Sequence, residues 1–499
     1  MATAAPQRVY RAPCPGCGAP VDFRSAQSTH AVCSFCHSTV VRSGETLQRI
    51  GRMAELFQDY SPLQLMAAGR WGAHGFTIVG RLQYKSAEGV WSEWHAALDD
   101  GTSAFLAEDN GSYVFAREMA LPIAVPPADA LRVGAATAID GKSYSVAFRG
   151  AVTLLAAEGE LAHFRETGLP FELAELRSED GFVLSLEYDS VPPAVSRGEP
   201  VALEALQLTG LREASEKDEA ARQFSCPNCG APVEVRLADS KTITCPSCHS
   251  IIDLSAGIGG ELRHALQDDP VQPLIPLGST GTLQGTAWQI VGFQHRLGQE
   301  PDDDERFGWS EYLLYNRQKG FSFLVDATDG WSLVKPATGA PKAKDGDDKV
   351  SYLGTTYKLE SRYRAETIYV AGEFYWPVAR GDLTNNADYD SGRSLLSRES
   401  SRNEVTWSIG SRIDSAAVAA AFPLPDDKKN LLKRSDAKPT SGIGCTAVVV
   451  ILVILIILVL LLSRCSACDP TRQNCGSSSS SSRTSGGSWG GASSGGGHK

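Results

Sequence analysis

Eight cysteines in four Cys-x-x-Cys pairs constrain this chain more than any other feature. The first set is Cys14, Cys17, Cys33 and Cys36, and the second is Cys226, Cys229, Cys245 and Cys248. Fifteen residues separate the two pairs in both sets. A Cys-x-x-Cys turn offers two thiolates from one side, and a second such turn completes the tetrahedron that zinc requires. Each set therefore predicts a zinc ribbon, and the chain two structural Zn2+ ions. Four thiolates leave no open position on the metal, so such a site shapes the fold and performs no catalysis. Gly18 and Gly230 follow the second ligand, where a turn needs positive φ. Residues 20–24 and 232–236 alternate apolar and polar side chains as strands do.

A rival reading is c-type haem, because Cys33-x-x-Cys36-His37 and Cys245-x-x-Cys248-His249 match the attachment motif. Haem would leave Cys14, Cys17, Cys226 and Cys229 without a role and would require export. The start of the sequence has no apolar run of the secretory kind. Zinc is therefore the expected metal, with His37 and His249 beside closed sites. A reducing compartment also favours metal ligation over disulfides for these eight cysteines.

The two cysteine sets lie 212 residues apart, and the same offset continues beyond them. Phe76-Thr-Ile-Val-Gly80 aligns with Trp288-Gln-Ile-Val-Gly292. After an insertion, Trp91-Ser-Glu-Trp94 aligns with Trp309-Ser-Glu-Tyr312, Phe105-Leu106 with Phe323-Leu324, and Tyr113 with Trp331. Gly141 then aligns with Gly354, and Gly159-Glu-Leu161 with Gly372-Glu-Phe374. The chain is thus a tandem repeat, each copy opening with a ribbon. Within a copy, glycine followed by an aromatic and alternating apolar residues recurs at Gly75, Gly141, Gly285 and Gly354. Short β-rich runs follow at 91–98, 104–106, 113–115, 152–156, 171–176 and 182–188. The expected fold is mainly β: two zinc ribbons and two tandem antiparallel units of barrel or sandwich type.

The expected order is a first ribbon over 1–43, a helical connector over 44–72 and a first β unit over 73–210. A linker over 211–224, a second ribbon over 225–255 and a connector over 256–280 follow. The second β unit takes 281–423. Helical spacing of Leu47, Ile50, Met53, Ala54 and Phe57 predicts a helix over 45–59, with a shorter counterpart over 260–267. Residues 211–223 read as a polar linker with helical character.

Residues 443–462 are twenty uncharged residues dense in Val, Ile and Leu. A helix of that length spans about 30 Å, the thickness of a hydrocarbon core. Lys428, Lys429, Lys433, Arg434 and Lys438 precede it, within a linker over 424–442, and Arg464 and Arg472 follow it. That asymmetry places the repeats in the cytoplasm and the tail outside, a single-pass anchor in the cytoplasmic membrane. Residues 463–499 form a Gly/Ser-rich tail expected to be disordered. Cys465, Cys468 and Cys475 stand at its start, open to disulfide formation, lipidation or neither.

Catalytic signals are sparse. Glu93 with Glu311, and Glu160 with Glu373, recur at matching positions. A carboxylate among aromatics can act as a general acid or base, although it more often caps a turn or pairs with arginine. Trp91, Trp94, Trp309 and Tyr312 read as core or groove aromatics. Residues 302–305 and 345–348 are acidic loops without the ligand spacing of a calcium site. Gly141-Lys-Ser lacks the rest of a phosphate loop and reads as a turn. The net charge of −11 argues against a general nucleic-acid binder. Only the first ribbon is basic, with Arg8, Arg11, Arg24 and Arg42 against Asp22.

The Ile-Val-Gly strands, Trp309-Ser-Glu-Tyr312, the Phe-Leu strand followed by Trp331, and Gly372-Glu-Phe374 resemble the bacterial family called domain of unknown function 4178. The first copy is the more divergent, with Trp94 and Leu161 at the Tyr and Phe positions. The resemblance implies a bacterial, envelope-associated protein and brings no activity with it. The sequence thus points to a membrane-anchored, non-enzymatic binding or scaffold protein with protein partners. Nucleic-acid binding and an enzyme site near Glu311 or Glu373 are the alternatives, and no small-molecule substrate is indicated.

Overall fold

The computed structural model describes residues 9–435, apart from 26, 44–45, 55–60, 88, 110–111, 163–164, 213–221, 238–239, 255–261, 268–269, 317–318, 345 and 402–403. Both repeats lie in one compact unit. Strands dominate it, as the alternating patterns require.

In each repeat eight antiparallel strands pair in a closed circuit. In the first the order is His74–Lys85, Val90–Leu98, Ser103–Asp109, Ser112–Glu118, Ala194–Val201, Val183–Glu187, Pro170–Arg177 and Lys142–Leu161, which returns to the first. The second repeats it with Thr286–Gln299, Arg306–Asn316, Gly320–Ala327, Gly330–Pro336, Val405–Ile413, Ser394–Ser400, Leu383–Ser391 and Thr355–Phe374. On the long strand of the second repeat the two flanking pairings overlap at residues 364–366, closing an eight-stranded barrel. On Lys142–Leu161 they abut end to end.

The internal half-repeat is a hairpin present four times. Short strands Ala68–Trp71, Ala136–Ile139, Thr280–Leu283 and Lys349–Tyr352 each turn tightly into a long strand. In three of these turns both central residues have positive φ: Asp140 and Gly141, Gln284 and Gly285, Leu353 and Gly354. That is the twist a two-residue hairpin demands. In the remaining turn Gly72 takes the left-handed position. The expected Gly75 instead lies on the strand, its N–H donating to Asp99.

Alternation divides the wall of each strand circuit into two faces. In the first repeat one face buries Phe76, Ile78, Trp94 and Phe115 under Leu63 and Leu206. On the other half of the wall it buries Val146, Leu176, Leu184 and Leu186 against Leu131 and Ile139. The opposite face carries Leu82, Tyr84, Val152, Leu154 and Leu173. In the second repeat Trp288, Ile290, Tyr312 and Trp331 are covered by Val418, Phe422 and Leu432. These covering residues belong to or follow two short helices, Ser415–Ala421 and Asp426–Leu431. Trp94 and Tyr312 are fully buried core, while Trp91 and Trp309 lie on the opposite face.

Two helical expectations need correction. Where a helix was expected over 45–59, the chain forms strand Thr46–Arg52, paired with Ser38–Ser43. Residues 55–60 lie outside the described residues. Leu47 and Met53 satisfy a helical period but are equally usable from a strand: Leu47 packs on the ribbon and Met53 on the barrel. The open edge of Ser38–Ser43 needed a partner for its backbone groups, and β-branched and glycine residues do not oppose that. Over 260–267 the chain forms the short strand His264–Ala265 on Ile251–Asp253 for the same reason. Of the 211–223 linker, residues 213–221 lie outside the described residues, and Arg222–Ser225 already belongs to the second ribbon as a strand. The expected membrane span over 443–462 and the tail over 463–499 also lie outside them. No described helix is long and apolar enough to cross a membrane.

The repeats touch at the turn 178–181 and also elsewhere, as at the bridge between Phe148 and Glu404 and the 3.8 Å pair of Lys319 with Glu204. The N–H groups of Ala340 and Leu353 donate to the carbonyls of Ser178 and Glu179, both at 3.1 Å. Arg177 donates to the Ala337 carbonyl at 3.2 Å.

Candidate metal centre

Each ribbon is two knuckles carried on small hairpins. Strand Tyr10–Pro13 pairs with Pro20–Phe23, and the chain returns through His30–Val32 to Ser38–Ser43. Arg222–Ser225, Pro232–Val235, Thr242–Thr244 and Ile251–Asp253 repeat the arrangement. Gly18 and Gly230 take positive φ after the second ligand, as the turn requires. His37 and His249 take positive φ after the fourth.

These turns bring the predicted ligands together. Cys14 Sγ lies 3.7 Å from Cys36 Sγ, and Cys17 Sγ 3.7 Å from Cys33 Sγ. The second ribbon gives the same 3.7 Å for Cys226 with Cys248 and Cys229 with Cys245. Within each set all four sulfurs lie within 4.8 Å of one another. A zinc–thiolate tetrahedron with bonds of about 2.3 Å has edges of about 3.8 Å. The spacing therefore fits one ion per quartet, and it is far too long for a disulfide. All eight thiols are free. Both thiols of each Cys-x-x-Cys-His stretch turn toward the other pair, which is the zinc arrangement rather than the haem one.

The surroundings move the thiols both ways: Cys17, against the lowering pull of the Ala19 backbone, is raised to about 12 by its hydrogen bond with Cys36, and burial raises Cys245 to about 12, whereas Cys36 and Cys248 are lowered. The Ser38 hydroxyl, 3.2 Å from Cys36 Sγ, brings that thiol down to about 6. Burial alone would raise Cys248, yet hydrogen bonds from Ser250 and Asn228 outweigh it and bring it to about 5. Such thiols give up their protons to a metal readily.

Glu160 and Glu373 both hold backbone of the ribbons. Each follows the glycine of Gly-Glu and inserts its carboxylate into the ribbon. Glu160 accepts the N–H groups of Arg24 and Ser25 at 2.6 and 2.9 Å. Glu373 accepts those of Arg236 and Leu237 at 3.0 and 2.9 Å, and the Ser240 hydroxyl at 2.7 Å. Burial raises both carboxyls, and these hydrogen bonds oppose the rise. The glycines beside them mark a close crossing of strands. A Cβ on Gly80 would stand 1.8 Å from the Glu160 carbonyl, and one on Gly372 2.3 Å from that of Val291.

Glu93 and Glu311 belong elsewhere, on the barrel face bearing Leu82 and Gln294. The structure gathers acidic partners for them that sequence spacing did not reveal. Glu175 and Glu187 share the face of Glu93, and Asp388 and Glu399 that of Glu311, at equivalent registers. Arginines serve both groups, and in the first Arg177 holds Glu175 at 2.6 Å. Arg165 bridges Glu187 and Asp189 at 2.5 and 2.7 Å. Arg296 lies 2.8 Å from Glu399 and 3.6 Å from Glu311. Glu311 also accepts from Trp309 and Gln294, at 2.6 and 2.5 Å. Among the described residues Glu93 has only a 3.5 Å bond from Trp91. Burial, then the charge of Glu187, lifts it to about 7. Of the two carboxylates considered for an enzyme site, Glu311 thus stands on the barrel wall opposite Gln294 and Glu373 at the ribbon turn. The acidic residues 302–305 lie exposed, as a solvated loop should.

No curated protein and no solved structure matches the chain. The family described as Domain of unknown function (DUF4178) matches residues 65–203 and 276–415, more than half of the sequence. Each match begins after a four-cysteine cluster and takes in most of one eight-stranded circuit. The chain therefore belongs to the DUF4178 family, in two copies each preceded by a four-cysteine cluster.

Proposed function

We propose that this protein is a membrane-tethered, non-enzymatic binding or scaffold protein whose two structural zinc ions fix the start of each repeat. The observation that carries the reading is closure: each metal site is a full thiolate quartet, with no position left for substrate. The recurring carboxylates support it, since Glu160 and Glu373 hold backbone and Glu311 is engaged by three neighbours. The apolar run 443–462 and the basic residues before it support an anchor with the repeats in the cytoplasm. Protein partners would engage the repeats near the bilayer. Two zincs per chain by elemental analysis, retention in carbonate-washed membranes and specific co-purification from solubilised membranes are expected. Recovery of no specific partner would count against the scaffold role, and release by carbonate against the anchor.

A second reading, nucleic-acid binding by the first ribbon, is favoured by one observation. Phe35, in the second knuckle, is 71% exposed. Exposed Arg49 and Arg52 lie on the adjoining edge strand, with Arg52 opposite Ser38. An exposed ring beside cations suits stacking on a single strand. Salt-dependent binding of single-stranded oligonucleotide, lost in Phe35→Ala, would establish it.

A further inference from the structure

The two ribbons are continuous with their barrels. His30–Val32 pairs with the last residues of the long strand Lys142–Leu161, and Thr242–Thr244 with the end of Thr355–Phe374. The opposite edge of each long strand is the seam that closes the eight-stranded circuit. Gly159 sits at both junctions at once, opposite Val32 on one side and Gly80 on the other. Ribbon side chains also complete barrel packing. Val32 and Met53 lie in the cluster with Leu82, Leu154 and Leu173. Ile251 lies with Leu313, Val370 and Phe374. Seam, ribbon strand and core thus meet at one end of each barrel.

Glu160 and Glu373 stand at that meeting point. Each grips the turn that joins strand Pro20–Phe23 to His30–Val32, or Pro232–Val235 to Thr242–Thr244. Those two strands run from the gripped turn to the two knuckles. A metal would fix them at the knuckle end, and the carboxylate fixes them at the other. The carboxylate is buried, so it gains its full hydrogen bonding only while the turn presents its N–H groups in this geometry. Without a metal, four thiols and a core as small as Val21, Phe23, Ala31 and Val40 hold the hairpins together. A unit of that size does not hold its shape unaided.

We propose that Glu160 and Glu373 are positioning residues that couple metal occupancy of each ribbon to closure of its barrel seam, so that metal loss opens that end of the barrel. The inference rests on the zinc reading above and adds a consequence to it. Opening would expose the pairing of residues 80–84 with 154–159 in the first repeat, and of 292–299 with 364–372 in the second. It would not expose the Leu383–Ser391 and Ser394–Ser400 hairpin of the second repeat, whose core residues Ala387, Tyr389 and Leu396 cluster with no described ribbon residue.

The test is hydrogen exchange followed by mass spectrometry on the full chain, metal-loaded and after chelation, with metal content measured on the same samples. Chelation should speed exchange at both seams by about tenfold or more while leaving the Leu383–Ser391 and Ser394–Ser400 hairpin unchanged. Glu373→Gln should keep two zincs but make the second seam exchange quickly with or without metal, the first seam serving as an internal control. If that variant does not fold, Glu373→Asp, which withdraws the carboxylate by one methylene, should give the same uncoupling. A metal-free preparation would overturn the zinc reading and the coupling together. Two zincs per chain with seam exchange indifferent to chelation would overturn the coupling alone. So would a Glu373→Asp protein that responds to chelation as the parent does.

Discussion

Glu93 and Glu160 share a residue type, recur in the second repeat and do different work. Glu160 is held by backbone N–H groups, whereas Glu93 faces other carboxylates with a single weak donor. In the fold Glu93 holds its proton up to about 7, against 4.5 in the unfolded chain. Between those values the unfolded state is ionised and the folded state is not, so stability falls as pH rises through this window and the contribution is gone above it. Glu93→Gln should therefore stabilise the protein at pH 8 by about 1–2 kcal/mol, allowing for partial solvent screening, and have no effect at pH 4. Denaturant titration at the two pH values reads the difference, and equal effects would refute the assignment. At the metal sites, Cys14→Ser should lower the zinc content from two to one, and Cys226→Ser should do the same independently. The double variant should carry none, as elemental analysis would show.

Among the elements, the long strands carry the most information. Each serves the hairpin, the barrel seam and the ribbon in turn. The motif Ile-Val-Gly marks where another strand crosses it, and Gly-Glu marks the same crossing from the other side. Gly80→Ala should cost about 3 kcal/mol or more, because its Cβ would meet backbone at 1.8 Å and neither strand can yield. Gly18→Ala, at a left-handed position that Gly80 does not share but with open space around it, should cost only about 1 kcal/mol. Thermal denaturation of the two variants gives the comparison. The edge strand Thr46–Arg52 shows the reverse case. Its apolar spacing admits helix or strand, and the unpaired edge of Ser38–Ser43 decided between them.

At the scale of the whole molecule, duplication need not mean independence. The turn at Ser178–Gly181 of the first repeat lies against Gly339 of the second, where a Cβ would stand 2.7 Å from both the Gly181 Cα and the Ser178 carbonyl. Together with the backbone bonds of Ala340 and Leu353, this contact should make the repeats unfold as one. Calorimetry should show a single transition for the parent and two for Gly339→Val, with zinc content unchanged in both. Two transitions in the parent would show that the contact does not couple them.

The sequence by itself determined the two cysteine quartets, the duplication and the β class, because ligand spacing, offset and alternation are local properties of a chain. The four turn hairpins were visible for the same reason, although Gly72 was hidden behind Gly75. Only the tertiary structure decided which carboxylates meet. Glu93, Glu175 and Glu187 are far apart in sequence, and closure of the circuit brings them onto one face. It also decided that Glu160 reaches back across more than 130 residues to hold a ribbon turn. Such pairings depend on strand order and register, which distant hydrogen bonds and burial set and no local pattern encodes.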